Sequence, residues 1–109
     1  MTVQLSEESK KAAADMLPSY MVDAVINYFE KGWTPGDFLR SVLENDLVGT
    51  FAYADDTNKL YVHKYVQWLW WHAPGRSSGA WGSVEAVEEW IREAAKEATA
   101  HKNFARENH

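Results

Sequence analysis

Gly32-Trp33-Thr34-Pro35-Gly36-Asp37-Phe38-Leu39-Arg40-Ser41-Val42-Leu43-Glu44-Asn45-Asp46-Leu47 is the stretch that decides the fold class. Gly32 stops one helix, and Thr34-Pro35 starts the next as cap and first-turn proline. Asp37 then sits where the helix dipole favours a negative charge. Phe38, Leu39, Val42 and Leu43 recur at the three-to-four spacing of a buried helical stripe. Asp46 closes the unit by offering a cap to a short segment that holds Leu47, Val48, Phe51 and Ala52.

The same punctuation continues in both directions. Upstream, Pro18 suits a first helical position, and Tyr20, Met21, Ala24, Val25, Tyr28 and Phe29 form the stripe of the helix ending at Gly32. Ser6 caps a polar helix to about Met16, rich in alanine but thin in apolar residues, and therefore expected to dock loosely. Downstream, Asp55 or Asp56 caps a long helix that ends before Pro74-Gly75, and Ser83 caps a last helix with Val84, Val87, Trp90, Ile91, Ala94 and Ala98 as its stripe. Period-two alternation is confined to Phe51-Ala52-Tyr53-Ala54, the one strand candidate. The expectation is an all-α bundle of five or six short helices. Residues 1–16 form the polar N-terminal helix, 17–100 the single helical domain and 101–109 a polar tail that frays, with Phe104 available to pin it.

Composition narrows the function classes. The 109 residues hold no cysteine, which excludes disulfides, thiolate metal sites and cysteine nucleophiles. No apolar run reaches a membrane span, and Thr2 to Lys11 is too polar for a secretory signal, so a soluble cytoplasmic protein is expected. Residues 15–56 carry eight carboxylates against Lys31 and Arg40, a net −6, whereas 57–109 carry seven basic and six acidic residues, a net +1. Nucleic-acid binding needs clustered positive charge, and this distribution argues against it. An acidic segment suits a partner with a basic surface, or simply solvated helix faces.

Tyr61, Tyr65, Trp68, Trp70 and Trp71 crowd into one helix. On a wheel of about 100° per residue with Tyr61 at zero, a stripe from about −20° to 140° holds Tyr61, Tyr65, Trp68, Val62, Val66 and Leu69, and Tyr61, Tyr65, Trp68, Val62 and Leu69 read as core. Lys59, His63 and Gln67 define a polar face between about 160° and 240°, and Trp70 falls near 180°, inside it. Trp71 lies at the other edge. A tryptophan on a polar face is an interface anchor unless the 76–82 loop or Trp81 covers it. Trp70, with Lys59, His63, Gln67 and Trp71, is therefore the candidate partner-binding patch. Trp33 and Trp81, at helix entrances, read as structural.

Catalytic chemistry is not found. His63, His72, His101 and His109 make no pair at metal-ligand spacing, so neither a metal nor a cofactor is expected. Asp55, Asp56 and Asn58 read as helix caps, the Gly75–Gly82 loop follows no strand, and Ser77-Ser78 has no positioned base. The chain reads as a non-enzyme.

The run Tyr20-Met21, Gly32, Pro35-Gly36, Phe38-Leu39, Val42-Leu43, Asn45-Asp46-Leu47, Ala54-Asp55, Asn58, Pro74 and Trp81-Gly82-Ser83 resembles a family of small proteins, of no settled activity, encoded by tailed bacteriophages and prophages. The resemblance spans about residues 17–92 and centres on Gly-x-x-Pro-Gly-x-Phe-Leu-x-x-Val-Leu-x-Asn-Asp-Leu. Trp70-Trp71-His72 and Ala80 depart from it, where tyrosine-rich sequence and a cysteine are usual. It implies a phage or prophage setting, hence the cytoplasm of a bacterial host, and brings no catalytic motif. The leading expectation is an accessory protein that docks on a host or phage protein, with inhibition of a defence complex, as by anti-CRISPR proteins, its concrete form. The alternatives are a self-associating homodimer and, ranked third, a single-stranded nucleic-acid accessory protein stacking bases on the aromatics.

Overall fold

A computed structural model describes residues 2–75 and 78–107, with side chains to residue 98. Six helices make up its regular structure: α1 Glu7–Met16, α2 Ser19–Lys31, α3 Asp37–Leu43, α4 Leu47–Tyr53, α5 Asp56–Trp71 and α6 Val84–Glu107. The protein is an all-α bundle. Four starts are capped as their sequences dictate. Ser6 Oγ accepts from Ser9 N–H, Asp46 from Gly49 N–H, Asp55 from Asn58 N–H and Ser83 Oγ from Ala86 N–H. Gly32 ends α2 in the left-handed region at φ 68°, with its N–H on the carbonyl of Tyr28.

Two starts differ from expectation. α3 begins at Asp37 with Gly36, not Thr34, as N-cap and without a side-chain cap bond. Pro18 precedes α2 as its cap instead of occupying its first turn. The strand candidate Phe51–Ala54 is helical as far as Tyr53, because the Asp46 cap sets the period before the alternation can act.

The core is built on aromatic packing. Tyr28 and Phe29 on α2 meet edge to face at 5.2 Å, Phe29 lies 5.7 Å from Trp68 on α5, and Tyr28 lies 6.5 Å from Trp90 on α6. Phe38 on α3 packs on Tyr65 of α5 at 5.2 Å. Each polar tip inside this core has a partner. Tyr28 O–H donates to the Ala80 carbonyl (2.5 Å), Trp90 Nε1 to the Tyr28 carbonyl (2.9 Å) and Tyr65 O–H to Asn58 Oδ1 (2.7 Å). Among the described residues no buried side-chain polar atom lacks a partner.

The polar N-terminal helix is tied to the end of α5. Ser9 Oγ donates to the His72 carbonyl (2.7 Å), Trp68 Nε1 donates to the Ser9 carbonyl (3.0 Å), and Ala13 is fully buried beneath them. Leu5 and Leu17 add buried anchors at its two ends. Lys10 Nζ reaches Glu30 at 3.2 Å, and Glu30 in turn accepts from Leu5 N–H. At the other terminus the α6 backbone runs into the stretch read as a tail. Residues 108–109, the Phe104 side chain and Ser77 of the serine pair lie outside the described residues.

Several aromatic and apolar residues are on the surface, among them Tyr61, which periodicity assigns to the core. α4 packs through its smallest residues: a Cβ on Gly49 would come within 2.8 Å of Ser41 Oγ on α3. Gly49 and Thr50 are therefore its buried pair, and Leu47, Val48 and Phe51 point outward. On α5 the buried set is Asn58, Tyr65, Trp68 and Leu69, which leaves Val66 and Tyr61 exposed. Trp33, read as structural, is exposed with Lys31 Nζ 4.5 Å above its ring.

Candidate functional site

α5 is held by its inner face. Tyr65, Trp68 and Leu69 are buried, so residues about half a turn round must point away from the core. Lys59, His63, Gln67 and Trp70 are all exposed on that outer side, Trp70 to 66%. The loop through Ser78–Gly82 does not cover this indole. Trp71 is also exposed but projects about 100° away from Trp70, so the two indoles do not share a face. The sequence-derived patch is thus brought together for four of its five members.

Trp70 does not stand alone. Val42, Asn45, Val66, Leu69, Trp81 and Gly82 join it around a cavity of about 160 Å³. Val42, Asn45 and Val66 also belong to a second cavity, of about 70 Å³, with Leu47, Thr50 and Val62. The two share walls, so a single cleft follows α5 beside α4. Asn45 turns the chain at its edge with φ 63°, bonded through its N–H to the Val42 carbonyl. Trp81, which sequence reading offered as a cover for Trp70, lines the cleft wall, with Nε1 donating to the Pro74 carbonyl at 2.7 Å.

The cleft continues onto the outward face of α4. Leu47 is 70% exposed, Val48 79% and Val66 57%, with Phe51 one turn beyond Leu47. With Trp70 these side chains present mostly apolar surface, of the kind that marks interaction sites on monomers. Among the described residues Asp46 is the one ionisable residue lining the cleft, and its carboxylate caps α4 through Gly49 N–H at 2.9 Å.

Sequence reading missed α4 and Val66 as members of this face. The available signal was Gly49-Thr50, the small pair that lets α4 approach α3 closely and turns its larger residues out.

The arrangement offers shape and apolar area. Among the described residues no group of three His, Asp or Glu side chains is placed to hold a metal ion. No helix there is long and apolar enough to cross a membrane. No protein-family model, no curated protein and no solved structure matches this chain.

Proposed function

We propose that this protein works by non-catalytic protein–protein binding, docking a partner onto the α4–α5 face with Trp70 as anchor. The observation that carries the reading is the outward apolar surface of Leu47, Val48, Phe51, Val66 and Trp70 around an open cleft. Hydrophobic residues are kept outside at a cost in solubility, and a partner that covers them supplies the compensation. The partner's complementary surface is apolar at its centre and basic at its rim, because residues 15–56 carry a net −6 and no basic residue lines the cleft among the described residues. With the phage-family resemblance, the partner is a host or phage protein met in the bacterial cytoplasm. Obstruction of a defence complex, as by anti-CRISPR proteins, is the form such docking takes.

The test is affinity capture from nuclease-treated bacterial lysate followed by reconstitution of the captured partner with purified protein. Trp70→Ala and Val66→Asp are run beside the parent chain. A stoichiometric complex that forms with the parent and weakens 30-fold or more (about 2 kcal/mol) with either variant supports the reading. Sedimentation of the free protein addresses the alternative. A tight dimer that Trp70→Ala dissociates makes the same face a seam between two copies and refutes the docking assignment.

A further inference from the structure

A separate cavity of about 280 Å³ lies where the starts of α2, α3 and α5 meet the end of α4. Tyr20, Met21, Phe38 and Tyr53 supply its apolar lining, and Asp37 and Asp55 its charge. We propose that this cavity binds one organic cation, the guanidinium or ammonium end of an arginine or lysine side chain of the docked partner. The source of the cation rests on the proposed function; the cavity's preference for a cation does not.

Three observations lead there. First, Tyr20 and Tyr53 are both more than half exposed, yet both line the same concavity, so the fold encloses neither residue and a cation in the cavity meets two aromatic side chains. Second, among the described residues no lysine, arginine or histidine lines the cavity, so its two carboxylates are not neutralised by them within it. Third, the site is braced. Tyr20 O–H donates to Asp55 Oδ2 and Asn58 N–H to Asp55 Oδ1, each at 2.7 Å, which fixes ring and carboxylate together. Each oxygen keeps a second lone pair for an incoming N–H donor.

Magnitudes select the ligand. The starts of α2, α3 and α5 oppose a cation with about +0.5 charge each and the end of α4 favours it with about −0.5, against −2 from the carboxylates. The remainder is near −1, which suits a single positive charge. Calcium needs six or more oxygen ligands, which two aspartates do not supply. The volume falls just below that of drug-sized pockets, and matches one side chain better than a large ligand.

The experiment is an amide ¹H–¹⁵N NMR titration of the full chain. The probes are the N-acetyl methylamides of arginine, lysine and citrulline, together with tetramethylammonium. The arginine or lysine probe is expected to shift the Gly36, Asp37, Phe38 and Asn58 amides with about millimolar affinity, and citrulline to leave them unmoved. The double variant Asp37→Asn/Asp55→Asn keeps the α5 cap, since asparagine caps as well as aspartate, and should weaken binding about fivefold or more. Tyr53→Ala should weaken it about two- to fivefold, and Tyr53→Phe should restore it. Equal response to citrulline, no response to any cation, or unchanged binding in the double variant overturns the proposal. Preference for tetramethylammonium over both side-chain probes overturns the assignment to a partner side chain. Trp70→Ala leaves the probe shifts in place if the cavity acts independently. Loss of probe binding with intact Trp70-dependent docking sinks the cavity alone, and the reverse pattern sinks the docking face alone.

Discussion

Replacing Gly32 by alanine should be among the most damaging single-methyl changes in this molecule. Two separate costs combine there. The residue sits at φ 68°, a left-handed conformation that disfavours any side chain by about 1–2 kcal/mol. A Cβ built on it would also overlap the Ala94 methyl of α6, with Ala94 Cα at 3.6 Å and Thr2 Cγ2 at 3.7 Å behind. No flexible side chain stands in the way that could swing aside, so the end of α2 and α6 must move apart, an overpacking cost of about 1–3 kcal/mol. Gly32→Ala should therefore lose about 2–5 kcal/mol, a large share of the 5–15 kcal/mol typical of a domain. Urea unfolding followed by far-ultraviolet circular dichroism measures it as a midpoint lower by about 1–3 M. Gly79→Ala is the internal control, because Gly79 has φ 81° but nothing within 4 Å of the added carbon. It should cost about 1–2 kcal/mol, the conformational part alone. In Gly32→Ala/Ala94→Gly the overlap is removed while the strained φ stays, so the coupling energy should be about 1–3 kcal/mol. If Gly32→Ala costs no more than Gly79→Ala, or the coupling is near zero, the close approach of α2 and α6 is not what the glycine serves.

The other predictions concern side chains. Trp70→Ala should cost at most about 2 kcal/mol of stability, since only a third of the residue is covered, whereas Trp68→Ala should cost about 3–5 kcal/mol; parallel urea titrations compare them, and equal losses would place Trp70 in the core. Tyr65→Phe should cost about 1–3 kcal/mol by leaving the buried Asn58 Oδ1 without its donor, measured by the same unfolding curves. Burial, the largest cause, holds the Tyr28 and Tyr65 hydroxyls well above the ordinary 10.0. The native state disfavours their ionisation, so the stability they contribute is complete below pH 10 and is lost as pH rises toward their folded values. Tyrosinate absorbance near 295 nm should gain its last two tyrosines only together with unfolding, and Tyr28→Phe/Tyr65→Phe should remove that coincidence.

Helix existence was legible because its signals are local. Ser6, Asp46, Asp55 and Ser83 each cap the helix their position announces, and Gly32 ends α2 in the conformation that glycine alone adopts cheaply. Facing was less legible. On a seven-residue helix periodicity assigns no clear facing, and the partner's shape decides it. Asp37–Leu43 leaves room only for Gly49 and Thr50, so Leu47 and Val48 turn outward. On α5 the wheel placed Trp70 correctly outside, but counted Tyr61 inside because it weighed hydrophobicity without knowing where α4 ends. Thr34-Pro35 carried a cap signal that lost to Gly36, whose backbone enters α3 two residues later. The Trp70 patch was legible for the opposite reason to the core: it is the place where sequence pattern and wheel disagree.

The division of the indoles has an optical consequence. Trp68 and Trp90 are almost wholly enclosed, their Nε1–H groups committed to the carbonyls of Ser9 and Tyr28, while Trp33, Trp70 and Trp71 meet water. Intrinsic emission is therefore a mixture of a blue, shielded population and a red, accessible one. A neutral collisional quencher such as acrylamide reaches the second population first. Occlusion of Trp70 by any visitor is thereby readable without a dye or a tag, and the enclosed pair reports in the same spectrum whether the interior has stayed intact.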